Sequence, residues 1–182
     1  LAVEDFANSS NNKISTAINN YLTRFELVSQ ELNYSLQKSI LDKDHIWKII
    51  EKKVQVSKGG LGMGASYQPY TLGGQLRLFS PYIYRSYNGY KRVNNDHFYD
   101  YSLQLKNPDQ QPHWYVEALK KNAHWLSPTF DHVSQQLVIQ HNIPLSFEQK
   151  RIGISYINLA MADLVKSVEH YYLGDGGYFL LL

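Results

Sequence analysis

Residues 136–143 read QLVIQHNI and residues 151–159 read RIGISYINL, and these two stretches decide the fold. Leu137, Ile139, His141 and Ile143 fall at every second position, as do Ile152, Ile154, Tyr156 and Asn158. A period of two places each set on one face of a strand, so both stretches are predicted as strands. Just upstream, Trp125–Phe130 is also strand-like and is joined to the first stretch by the polar turn Asp131–Gln135. Turns of this length make neighbouring strands antiparallel. Downstream, Leu164, Val165, Val168 and Tyr171 or Tyr172 recur at helical spacing; Gly174 is placed to stop that helix, and Gly177–Leu182 begins a further strand.

Working towards the N-terminus, Pro112 suits the first turn of a helix running through Ala118 to about Ala123. Residues Ser86 to Pro112 are polar and rich in Asn and Tyr, and read as a long excursion with short elements, the kind of loop that usually carries function. Residues Ala65 to Arg85 alternate strand-like stretches with a Gly73-Gly74 turn, Leu76 and Leu78 on one face and Arg77 and Phe79 on the other. The segment Lys58–Gly64 contains GGLGMG. As a phosphate loop it lacks the closing Gly-Lys-Ser/Thr and a following helix, so it reads as a turn leading into a strand.

Two helices precede it. Ile46, Trp47, Ile49, Ile50 and Val54 form the apolar side of a helix that starts after the Asp42–Asp44 turn. From Asn8 to about Leu41, Ile14, Ile18, Tyr21, Phe25, Val28 and Leu32 alternate in steps of four and three, with Ser9 or Ser10 available as a cap. At 1.5 Å per residue that is a rod of roughly 45 Å. Its seam has two readings that do not exclude each other: packing on its own domain, or pairing with a second copy as a dimer stalk. The order of elements predicts an α+β fold, with a long N-terminal helix packed on a central antiparallel sheet flanked by helices. The expected division is an N-terminal helical region at 1–57 and a sheet domain at 58–182.

Composition narrows the function. The 182 residues carry a net charge of +2, with 43% hydrophobic and 19% charged residues, which is ordinary for a globular domain. No block of like charge supplies a nucleic-acid footprint. There is no cysteine, which removes disulfides, thiolate nucleophiles and zinc–thiolate sites. No run reaches the roughly 20 apolar residues that span a bilayer. Without an initiator Met or a signal peptide, the chain reads as a piece of something larger. Fifteen tyrosines are the outlier; each offers a flat apolar face and a polar tip suited to pockets. Neither a Gly-x-Ser-x-Gly elbow nor a His-Glu-x-x-His pair occurs, and Asp96, His97 and Asp100 read as a solvated loop cluster, so no catalytic residue and no cofactor is expected.

Several phrases, in order, resemble the Cache (PAS-like, PDC) family of extracytoplasmic sensor domains of bacterial receptors. His113-Trp114-Tyr115-Val116-Glu117-Ala118 resembles the family's "WY..A" helix, and Trp125-Leu126-Ser127-Pro128-Thr129-Phe130-Asp131 its "W..PY.D" strand. Ile143-Pro144-Leu145 is similar to "s.Pi", Ile152 to Leu159 to "iGvv.iDi", and Gly176-Gly177-Tyr178-Phe179-Leu180 to "GyaFl". Ser80-Pro81-Tyr82-Ile83-Tyr84-Arg85 with Asp100-Tyr101 is similar to "PY.yR…DY" in relatives that precede kinase, phosphatase or cyclase modules. The resemblance covers about residues 65–182.

The resemblance implies a PAS-like sheet whose concave face holds a small molecule beneath the loop and short helix. It implies a periplasmic or extracellular position in a membrane-anchored receptor, a domain that continues past the last strand here, and signal leaving along the terminal helices to a kinase, cyclase or chemotaxis module. It also implies roles. Trp114 and Tyr115 stand where relatives place aromatic side chains over the ligand, and Asp131 keeps a carboxylate. Thr129 replaces a Tyr, Asn158 replaces the carboxylate that grips an amino group, and Pro112 replaces the Arg that forks a ligand carboxylate. The expected ligand is therefore not a standard amino acid. Tyr82, Tyr84, Tyr101, Arg85 and His141 complete the predicted ligand-binding set, with Tyr67 and Trp125 as further aromatics that could line the pocket, and the set suits an uncharged or weakly polar ligand or an anion held by Arg85 and His141. A metal held by Asp131, His132 and His141 is the weaker alternative to a polar turn beside a sheet histidine. The alternative to a sensor is a protein-interaction or constitutive dimerisation module with a vestigial pocket.

Overall fold

The computed structural model describes residues 2–39, 42–98, 100–103 and 113–171. Helix α1 runs over Ala2–Lys38. Helix α2, Lys43–Val56, starts at Asp42, whose carboxylate accepts the His45 N–H at 2.7 Å and satisfies one of the free donors of the first turn. Strands β1 (Gly62–Tyr67), β2 (Pro81–Ser86) and β3 (Gly89–Asn94) follow, then a single 3-10 turn at Asn95–His97. Helix α3 is His113–Lys120, and β4 (His124–Trp125), β5 (Thr129–Asp131), β6 (Gln136–Phe147), β7 (Lys150–Ala160) and α4 (Met161–Val168) complete the described chain.

The seven strands form one sheet in the order β3-β2-β1-β7-β6-β4, with β5 also paired to β6. Every pairing is antiparallel, as predicted where the connection is short, at β5–β6. The long hairpin is β6–β7, registered from Val138 opposite Ala160 to Phe147 opposite Lys150. It turns through Glu148 and Gln149, both at positive φ (47° and 63°). In an antiparallel ladder, residues opposite each other share a face. One face therefore carries Met63, Ala65 and Tyr67 of β1 with Ile157 and Leu159 of β7 and Ile139 and His141 of β6. The other carries Gly62, Gly64 and Ser66 with Ile154, Tyr156 and Asn158, and with Gln140 and Asn142.

The first face is the main core. Ile14, Ile18, Phe25, Leu32 and Leu36 of α1, Ile46, Ile50 and Val54 of α2, and Leu164 and Val168 of α4 pack against it. Tyr21 and Val28 border the same cluster. The predicted α1 seam is thus taken up by the domain's own sheet, and α1, α2 and the strands share one apolar core.

Some segments differ from expectation. Residues 76–80 are extended but not a strand; they are held at Tyr70 N–H to Arg77 C=O (2.8 Å) and Tyr67 N–H to Phe79 C=O (3.1 Å). The polar excursion opens with a hairpin, β2–β3, closed between Ser86 and Gly89, the latter at φ 106°. Trp125–Phe130 is split into β4 and β5, which leave the chain bent between two short pairings with β6. Val165 is exposed, whereas Leu164 and Val168 are buried. Leu41, Pro112, Gly174 and Gly177–Leu182 lie outside the described residues.

Candidate functional site

The second face of the sheet carries an aromatic layer. Tyr82 and Tyr84 of β2, Ile154 and Tyr156 of β7, Tyr101, and Tyr115 and Ala118 of α3 form one cluster, bordered by Trp114, Leu78 and Val93. Strand β1 makes room for it by having no side chain there. A Cβ on Gly62 would lie 2.7 Å from the Tyr82 ring, and one on Gly64 would lie 2.5 Å from the Tyr156 hydroxyl. The two rings therefore lie across bare strand. Tyr82 stacks on Tyr84 at 5.5 Å and meets Tyr156 at 5.7 Å. Above them, Trp114 stands edge-on to Tyr156 at 5.6 Å and to Tyr115 at 5.7 Å.

A polar chain crosses this layer. Asn158 Nδ2 donates to the Tyr82 hydroxyl oxygen at 3.1 Å, and that hydroxyl donates to Asp131 Oδ2 at 3.1 Å. A carboxylate only accepts, so the Tyr82 proton points at Asp131 and its oxygen must accept from the amide, which fixes the orientation of Asn158. Burial, with the Asp131 charge adding to it, pushes the Tyr82 hydroxyl far above the ordinary tyrosine range and keeps it a neutral donor. Asp131 also accepts from the Val133 N–H at 3.0 Å and the Ser134 hydroxyl at 2.6 Å, which builds the β5–β6 turn. Asn95 Nδ2 donates to the Tyr156 hydroxyl at 2.8 Å.

The structure brings Trp114, Tyr115, Tyr82, Tyr84, Tyr101, Asp131 and Asn158 to this one face. Thr129, opposite Val138 on β5, shares the face but stands exposed at its rim. Tyr101 supports the wall through its ring, 4.8 Å from Tyr115; its hydroxyl clasps the backbone, donating to Tyr67 C=O at 2.7 Å and accepting from Phe79 N–H at 3.2 Å. Arg85 and His141 are not brought to it, and Tyr67 and Trp125 are turned to the other face. Arg85 alternates with Tyr84, so its guanidinium points to the other face and binds the Gly60 carbonyl. His141 faces α1 and packs 4.8 Å from Trp125, whose indole N–H donates to Glu26 at 2.7 Å. Burial pushes the His141 imidazole down to about 4. An anion clamped by Arg85 and His141 thus has no place on the aromatic face. The grouping of Asp131, His132 and His141 is not assembled, and among the described residues no cluster of three or more His, Asp or Glu could hold a metal.

Sequence reasoning passed over Gln140, Asn142 and Asn95. Gln140 and Asn142 are 6% and 0% exposed. The available signal was two amides alternating with Ile139, His141 and Ile143 in mid-strand, a pattern that marks the face opposite the helices as polar yet covered. A separate cleft of about 620 Å³ runs along the N-terminal half of α1, lined by Asn8, Asn12, Thr16, Asn20 and Tyr171 among others, away from the aromatic layer.

Residues 46–166 match the sequence profile of a family described as methyl-accepting chemotaxis protein-like, first PDC sensor domain. No curated protein sequence matches the chain. Among solved structures, an extracellular domain described as that of a histidine kinase, soHK1S-Z6, superposes with a TM-score of 0.72 at 21% identity, over 93% of this chain and 66% of that one. The ligand-binding domain of the Campylobacter jejuni chemoreceptor Tlp3 in complex with L-norvaline gives 0.68 at 16% identity, over 94% of this chain and 63% of that one. The sensory domain of the same receptor with isoleucine bound gives 0.64 at 14% identity, over 94% and 64%. At these identities the likeness is one of fold, and the chain spans just under two thirds of each of those chains.

Proposed function

The chain belongs to the family of first PDC sensor domains of methyl-accepting chemotaxis protein-like receptors, and we propose that its aromatic face binds an uncharged small molecule and passes occupancy to α1. The observation that carries this reading is the Asn158–Tyr82–Asp131 chain. On the aromatic face it offers an amide and a neutral phenol, with the Asp131 carboxylate already taken up by Tyr82, Val133 and Ser134, while Arg85 is turned to the other side. An amino acid would find no guanidinium fork for its carboxylate, and an amide rather than an acid at Asn158 for its ammonium. The residues of this proposed site are Trp114, Tyr115, Tyr82, Tyr84, Tyr101, Asp131 and Asn158, with Thr129 at the rim.

The route to α1 is short. Tyr156 and Asn158 face the aromatic layer, and Ile157 and Leu159 between and beside them pack in the core beneath α1. A ligand that prefers one placement of β7 biases the placement of α1 by its differential affinity for the two. In this reading residues 58–182 form the sensing unit and 1–57 the helices that carry the signal, in the extracytoplasmic part of a membrane-anchored receptor that pairs through α1. No helix among the described residues is long and apolar enough to cross a membrane. With the seam buried, pairing falls to the outward side of α1, where Leu27 and Tyr34 are exposed.

The test is a thermal-shift and calorimetric screen. Common amino acids should leave the melting temperature unchanged, and an uncharged ligand should raise it in a way that Trp114→Ala abolishes while circular dichroism stays native. Stabilisation by several degrees with a common amino acid would overturn the proposal. A second reading, a partner-binding or constitutively dimeric module with a filled pocket, is favoured by the direct packing of Trp114 on Tyr156. It predicts a dimer by sedimentation and no stabilisation by any small molecule.

A further inference from the structure

Five polar atoms on or beside the aromatic face are buried without a partner; besides Tyr115 Oη and Asn95 Oδ1 they are Asn158 Oδ1, Asn142 Nδ2 and His124 Nε2, and these last three fall together. The register gathers them. His124 of β4 stands opposite Asn142 of β6, and Asn158 of β7 stands opposite Gln140, one diagonal step from Asn142. Diagonal neighbours lie about 7–8 Å apart, the width of one small polar group with a hydrogen bond on either side. The Tyr156 ring, opposite Asn142, leans the other way, over Gly64 of β1.

Each atom has a defined sense. The Tyr82–Asp131 chain takes Asn158 Nδ2, so Oδ1 is a free acceptor. Gln140 Nε2 donates to Asn142 Oδ1 at 2.6 Å, so the Asn142 amide nitrogen is a free donor. His124 Nδ1 lies 2.6 Å from the Asn122 carbonyl and must carry a proton, so in the tautomer this contact selects Nε2 is the acceptor. Buried polar groups are nearly always paired, and leaving one unpaired destabilises the fold, so three in one patch point to an occupant.

We infer that Asn142, Asn158 and His124 form a subsite for a primary carboxamide, which has two N–H donors for Asn158 Oδ1 and His124 Nε2 and one carbonyl for Asn142 Nδ2. A carboxylate lacks the donors and an ammonium lacks the acceptor. A flat ring carrying the amide would lie towards Trp114 and Tyr156, so the ligand class is an aromatic carboxamide. This rests on the reading of the aromatic face as a ligand site.

Calorimetric titration of the 182-residue chain with benzamide, benzoate and benzylamine tests it. The expected result is benzamide binding at least tenfold tighter than either charged analogue. Asn142→Asp, which replaces the free donor with an acceptor, should weaken benzamide at least tenfold while the melting temperature shows that the variant is folded. Equal binding of all three, no binding of benzamide at millimolar concentration, or unchanged affinity in folded Asn142→Asp would overturn the subsite. The selectivity arm needs no variant. If a different uncharged compound stabilises the chain in a Trp114-dependent way while benzamide does not bind, the carboxamide subsite falls and the sensor reading stands. If nothing binds, both fall.

Discussion

Asn33 of α1 and Ser155 of β7 are joined inside the core: the Asn33 amide donates to the Ser155 hydroxyl at 2.9 Å. The same nitrogen reaches the Pro144 carbonyl at 3.1 Å. Leu32 and Leu36 beside it are fully packed, so this polar contact sets where along the sheet the helix sits. Replacing Asn33 with Leu should leave the Ser155 hydroxyl poorly satisfied and lower stability by about 1–3 kcal/mol in urea unfolding. Asn33→Asp should cost more, because it turns an acceptor towards the Ile143 and Pro144 carbonyls, both of which the Asn33 amide nitrogen reaches.

Gly64 and Tyr156 form a second pair whose fit is steric. An added Cβ at Gly64 meets the Tyr156 ring at 2.6 Å and the Pro81 carbonyl at 2.7 Å. Gly64→Ala should therefore cost about 1–3 kcal/mol by overpacking. In a double-mutant cycle, Tyr156→Ala should relieve part of that cost, since the ring is only one of the two obstacles. Full additivity would show that the ring does not lie across the strand.

Stability should depend on pH through His141. Its imidazole titrates at about 4 in the folded chain, against about 6.5 when unfolded. Burial is the main cause; the Glu26 charge opposes it and His124 adds to it. Between these values the unfolded chain binds the extra proton, so stability is complete above pH 6.5 and falls as pH drops towards 4, by about 3 kcal/mol in all. Urea midpoints measured from pH 7.5 to 4 should show that slope, and His141→Leu should remove most of it. A wild-type profile flat to pH 4 would contradict the buried neutral ring.

The β6–β7 turn holds two non-glycine residues at positive φ, Glu148 and Gln149. The left-handed region costs an ordinary residue about 1–2 kcal/mol, more than glycine loses in chain entropy. Gln149→Gly should raise stability by about 0.5–1 kcal/mol, readable as a higher urea midpoint at unchanged slope. Glu148→Pro at the same turn should do the opposite, because its φ of 47° is closed to proline.

The β6–β7 hairpin is legible in the sequence because both strands alternate and their turn is short. Alternation sorts residues into two faces without saying which one the helices cover. His141 shares its period with Ile139, and both are buried beneath α1, so a residue read as a ligand contact belongs to the core. Arg85 is misplaced for the same reason, one position out of phase with Tyr84. The β2–β3 hairpin was signalled by Asn88-Gly89, but β3 is an edge strand exposed on both sides and shows no apolar alternation to support the turn. The aromatic layer depended on Gly62 and Gly64, whose function is visible only once Tyr82 and Tyr156 lie across them.

Strand β1 lies between β2, made soon after it, and β7, made far later. On the ribosome its inner edge stays bare until Gly153–Asn158 emerge, on the order of ten seconds at roughly 5–20 residues per second. Through that interval the apolar sides of α1 and α2 have half a sheet to cover. Nascent chains halted before Gly153 should thus be protease-sensitive and prone to chaperone capture, and completion of β7 should convert them at once into the closed domain. Contacts of such long sequence separation also slow refolding in the test tube, whatever the final stability.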